Sequence, residues 1–116
     1  MEKTMRKHKD EIELLEIAME LASAPLTLIT NDGEVKRKPT KKQKELIYKI
    51  VYGALLGLNW GESTRTSRTS EQAILDTAEF TYNVMMESTF KNGETVNGYL
   101  SLYSPLKKVL REWERV

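Results

Sequence analysis

Between Leu46 and Leu58 apolar side chains return every three or four residues, at Leu46, Ile47, Ile50, Val51, Ala54, Leu55 and Leu58. That spacing follows the 3.6-residue period of an α-helix and gathers all of them on one broad face. Tyr48, Tyr52 and Leu56 carry apolar surface round the other side, so the segment predicts a central helix touched by more than one neighbour. Its start is marked by Thr40 and Gln43 after Pro39, a T-x-x-Q pattern in which hydroxyl and amide satisfy N–H groups that the first turn leaves free. Gly53 and Gly57 lie one turn apart and predict a packing notch. The apolar run Leu46–Trp60 is broken by Lys49 and falls short of the roughly 20 residues that span a bilayer.

A buried helix needs partners, and none of the 116 residues is a cysteine, so packing alone must recruit them. With 40 % hydrophobic and 30 % charged residues, the composition is that of a globular chain, and its length suits a single domain, 1–116. The lack of cysteine excludes cysteine-held zinc and iron–sulfur sites and fits a reducing compartment. Met1–Asp10 is charged and lacks the apolar region of a secretory signal. The expectation is a cytoplasmic protein with no membrane partner.

Three more helices are readable. The first is expected from Glu2 to Ser23, with Met5, Ile12, Leu15, Met19 and Ala22 on one seam, widened by Leu14, Ala18 and Leu21, and with Pro25 as its stop. Basic residues precede acidic ones there, which opposes the helix dipole. The third is expected to follow a loop over 59–69, to be capped by Thr69 or Ser70, and to run to about Phe90, where Asn92-Gly93 makes a C-cap. Its apolar residues, Ala73 to Met86, cover most of the circumference, a sign of several neighbours or a subunit interface. The fourth is expected to begin at Ser104-Pro105, as N-cap and first position. Tyr99–Tyr103 reads equally as a short strand or an extra helical turn. Leu26–Thr30 is β-prone and is followed by the turn signal Asn31-Asp32-Gly33. The fold class expected is therefore mainly α: a compact bundle of about four helices, with a small β-hairpin at 26–38 between the first two.

Two stretches stand out chemically. Lys36, Arg37, Lys38, Lys41, Lys42 and Lys44 crowd the start of the central helix. Cations there oppose the dipole, an arrangement that an anionic ligand would reward; the simpler role is keeping a hairpin edge soluble. Arg65 and Arg68 interleave with Ser and Thr before the third helix, donors that suit phosphate oxygens, though the order is not that of a P-loop. If the two stretches converge, they form one anion site. Trp60 is a candidate partner contact, with closure of the core end as the plainer role.

No catalytic or metal-binding residue is assigned. His8 is the only histidine, and no base is placed to activate a serine. Glu13 with Glu16 and Asp76 with Glu79 give E-x-x-E and D-x-x-E pairs, which depart from the E-x-x-E and E-x-x-D pair of all-helical nucleotide pyrophosphohydrolases. The small, lysine-rich texture without a catalytic signature is similar to that of accessory proteins of phages and other mobile elements. The function expected is non-enzymatic and cofactor-free: a small regulator or inhibitor that binds a protein partner, with self-association into a homodimer or higher assembly. The alternatives are a binder of nucleic acid or nucleotide phosphates through the basic helix starts and, more weakly, a magnesium-dependent nucleotide hydrolase.

Overall fold

The computed structural model describes residues 9–63, 68–91 and 93–113, the side chains of 60–63 and 68–70 excepted. Its longest element is the central helix α2, Lys41–Ser63. The capping box at its start is formed: the Thr40 N–H donates to Gln43 Oε1 at 2.9 Å, and the Gln43 N–H donates to Thr40 Oγ1 at 3.2 Å. Gln43 is buried, and its Nε2 also donates to Thr89 Oγ1 at 2.8 Å, so one side chain caps α2 and clasps the turn that follows the third helix. Gln43→Ala is expected to cost about 1–2 kcal/mol, read as a lower urea midpoint. Lys42→Ala, at an exposed neighbouring position, should leave the midpoint where it is.

Ile47, Val51, Ala54, Leu55 and Leu58 are the buried face of α2, packed against α1 (Glu11–Ser23) and α3 (Arg68–Glu87). Leu46 and Ile50 are only half-buried. The helix runs on past Asn59, where the sequence suggested a loop. The reason lies in the Asn59 side chain, which is buried and accepts from the Lys9 N–H and donates to the Lys9 carbonyl, both at 3.0 Å. An amide satisfied by another segment does not compete with its own helix for hydrogen bonds.

The first helix begins at Glu11, with Asp10 and Glu13 forming a capping box; residues 1–8, with Met5 and His8, lie outside the described residues. Glu11 and Glu13 therefore occupy the first turn, where negative charge favours the dipole, the reverse of the conflict expected. The seam also differs. Leu14, Ala18 and Ala22 are buried, whereas Ile12 and Met19 are 67 % and 61 % exposed. Two alanines one turn apart let the α1 and α2 backbones approach, and that contact outweighs the bulkier seam.

Strands β1 (Leu26–Thr30), β2 (Gly33–Arg37) and β3 (Thr95–Val96) form an antiparallel sheet in the order β2-β1-β3. Leu28 lies opposite Val35 on one side and Val96 on the other. Leu26, Thr27 and Leu28 are buried, while every residue of β2 is exposed.

The third helix starts at Arg68, so Thr69 and Ser70 fall inside it rather than capping it. It ends at Glu87, where the Thr89 N–H and hydroxyl both donate to the Met86 carbonyl, at 2.9 and 2.7 Å. Gly93, at φ +77°, belongs to a separate turn closed by the Glu94 N–H on the Lys91 carbonyl at 3.1 Å. The last helix, α4 (Ser104–Trp113), is entered directly from a single π-helical turn, Tyr99–Tyr103, in which the Ser104 N–H reaches back to the Tyr99 carbonyl. Ser104 is thus not an N-cap. Pro105 has no N–H and its ring pushes away the carbonyl four residues before it, and the widened turn accommodates both effects. Leu102, Tyr103, Leu106, Leu110 and Trp113 complete one core shared by the sheet and the helices.

Candidate functional site

A groove lies along α2 and α3. It has a volume of about 520 Å³, and its floor is made of small residues, Gly53, Ala54 and Gly57 facing Ala73 and Ala78. Among the described residues Lys49 is the one charged residue lining it. The notch expected at Gly53 and Gly57 is therefore open at Gly53, where a Cβ would meet nothing, and is closed at Gly57 only by ordinary contact with Ile74. Beside the groove α3 turns apolar residues outward: Phe80 is 69 % and Val84 54 % exposed, and Met85 joins them. On the far flank of Phe80 and Val84 a second groove of about 280 Å³ reaches β3, lined also by Glu94, Thr95 and Val96. The near-complete apolar coverage of α3 thus has two causes. Leu75, Ala78, Tyr82 and Met86 face the core, and the opposite side faces solvent.

The basic residues divide into paired and unpaired groups. Lys36 donates to Thr27 Oγ1 at 2.6 Å. Arg37 grips both carboxylate oxygens of Glu94, at 2.8 and 2.7 Å. The guanidinium holds the Glu94 carboxyl below its ordinary range, and the carboxylate raises Arg37 in return. Lys38, Lys41, Lys42 and Lys44 stay exposed at the start of α2, and among the described residues none of them makes an ion pair. Arg65 lies outside the described residues. Arg68 begins α3, and the Gln43–Thr89 bond sets the opposite end of α3 beside the start of α2. The start of α2 and the start of α3 are therefore at opposite ends of an antiparallel helix pair, separated by the length of α2, about 34 Å for its 23 residues. The Arg68 backbone thus lies far from the lysine cluster, and the convergence expected with Arg65 falls outside the described residues. Trp60 falls within α2, with its side chain outside the described set.

The four carboxylates weighed for magnesium are not brought together. Glu13 is held in the α1 capping box, and Asp76 accepts from Gln72 at 2.9 Å on α3. Among the described residues no three His, Cys, Asp or Glu side chains gather where they could hold a metal ion. No helix of the described residues is long and apolar enough to cross a membrane. Sequence reasoning missed the polar side chains that join segments, Asn59, Gln72 and Ser101, because an amide or hydroxyl bonded to a distant segment leaves no periodic signal. No protein-family model, no curated protein and no solved structure matches the chain.

Proposed function

We propose that this chain is a non-enzymatic binding protein, a small regulator or inhibitor that works by occupying a protein partner's surface with the outer face of α3 and the α2–α3 groove. The observation that carries this is the pair Phe80 and Val84, one turn apart and exposed on the outer side of α3, with Met85 a quarter-turn round on the rim of a groove whose one charged lining residue among those described is Lys49. Apolar side chains scattered over a surface are ordinary, but a cluster beside a groove is what a partner's apolar side chains would fill. The groove offers few hydrogen-bonding groups, chiefly Thr77 and Thr81, so it suits side chains of a protein better than a polar small molecule. The unpaired lysines Lys38, Lys41, Lys42 and Lys44 favour a second reading, attraction of a phosphate-bearing partner to the start of α2.

One experiment separates the two. A photoreactive residue is placed at Phe80 or at Lys42, and the protein is irradiated in cells that make it. The expected result is one discrete protein adduct from position 80 that disappears when Val84→Asp is added. Protein adducts that are the same from both positions, or absent from position 80, count against the α3 reading. Nucleic-acid adducts from position 42 alone would establish the second.

A further inference from the structure

The outer edge of β2 carries a charge pattern that is complementary to itself. Thr27 gives its N–H to Ser101 Oγ at 2.9 Å, and its carbonyl accepts from the Asn97 N–H at 2.8 Å. Its main chain is thus turned away from Lys36, the residue opposite it on β2. In an antiparallel ladder bonded and non-bonded pairs alternate. Val35 therefore bonds inward to Leu28, while Glu34 and Lys36 direct their N–H and carbonyl groups outward, along an edge that no other described strand covers. The segment reads Asp32-Gly33-Glu34-Val35-Lys36-Arg37-Lys38, and all of it is exposed.

We infer that two copies of this chain pair β2 against β2, antiparallel about a two-fold axis at Val35, into one continuous six-stranded sheet. In that register Val35 faces its symmetry mate and Glu34 lies opposite the partner's Lys36, the two residues exchanging their outward main-chain hydrogen bonds. Asp32 is brought towards the partner's Lys38. The Lys36 ammonium already donates to Thr27 and keeps donors free for a carboxylate on the same sheet face. Arg37, bound to Glu94 on the other face, meets the partner's Gly33, which has no side chain to obstruct it.

The same pattern rejects the neighbouring registers. A two-fold axis at Glu34 would set carboxylate against carboxylate, and one at Lys36 would set ammonium against ammonium, and like charges directly opposite destabilise a strand pair. Lysines on an open edge ordinarily prevent strand addition. Here Glu34 and Asp32 lift that protection for a second copy alone. The pairing surface is one short strand, so the dimer is small and weak by the standard of stable interfaces, and it loosens with salt.

Sedimentation velocity from about 10 to 500 µM at low salt tests this. The expected result is a shift with concentration from the 13.4 kDa monomer towards twice that mass. Glu34→Lys and Lys36→Glu should each lower dimer affinity by about tenfold or more, and an equimolar mixture of these two variants should dimerise again, as a heterodimer with every pair opposite in charge. Both variants should keep the helical circular-dichroism spectrum of the wild type, so that recovery on mixing reads the charge match and not the fold. A monomer throughout the range, a dimer indifferent to both substitutions, or no recovery on mixing overturns the pairing. The experiment leaves α3 untouched, so its failure and that of the α3 reading are told apart.

Discussion

Leu55→Ala is expected to destabilise the protein by roughly 3–5 kcal/mol. Leu55 is fully buried, at the middle of the helix that packs on α1 and α3 together. Removing its isobutyl group loses transfer free energy and leaves a cavity that two helices must close at once, so relaxation is limited. Against a typical domain stability of about 5–15 kcal/mol, one such substitution removes a large share. Ile50→Ala should cost clearly less, because Ile50 is half-buried on the wall of an open groove, where solvent already replaces part of the contact. Urea midpoints of the two variants, measured at matched slopes, check the order. An equal loss in both would mean that the groove is filled.

Tyr82→Phe is expected to leave stability unchanged or raise it by up to about 1 kcal/mol near neutral pH, because replacing a buried unpaired group relieves its desolvation. The Tyr82 side chain is completely buried, and its hydroxyl is the one buried side-chain polar atom without a hydrogen-bond partner among the described residues. Ser101 lies close enough to influence it, but the Ser101 hydroxyl is engaged with both the N–H and the carbonyl of Thr27. Burial raises the Tyr82 phenol from 10 to about 12. A raised value means that the folded state holds the proton more tightly than the unfolded one. The resulting stability is present in full below pH 10 and is lost as the pH rises towards about 12, a total of about 2–3 kcal/mol. Denaturation at pH 7 and pH 11 distinguishes the variants: the wild type should weaken at the higher pH, and Tyr82→Phe should lose less. A Phe variant clearly weaker at pH 7 would show that the hydroxyl has a partner.

The mainly helical class was legible because its signals are local. The period from Leu46 to Leu58 and the Thr40–Gln43 box depend only on residues within two turns of one another. The ends of α1 and α3 were less so. Asp10 and Glu13 read as part of a longer helix, and Asn92-Gly93 reads as a cap, whereas the Thr89 hydroxyl closes the last turn of α3. The π-helical entry to α4 was also hidden, since Pro105 after a serine fits a helix start as well as a continuation.

By itself the amino-acid sequence determined the central helix, its cap, the absence of disulfides and the positions of the charges, all of which follow from periodicity and residue chemistry. Tertiary structure decided the rest. It chose the Leu14–Ala18–Ala22 face of α1 over Ile12 and Met19, because small residues permit the closer approach. It added a third strand of two residues, too short to carry a pattern of its own. It set the start of α2 and the start of α3 at opposite ends, since an antiparallel pair of helices must, and so placed the Arg68 backbone far from the lysines at the start of α2. It left Phe80 and Val84 facing water, because which side of an evenly apolar helix finds a neighbour depends on residues far away in the sequence.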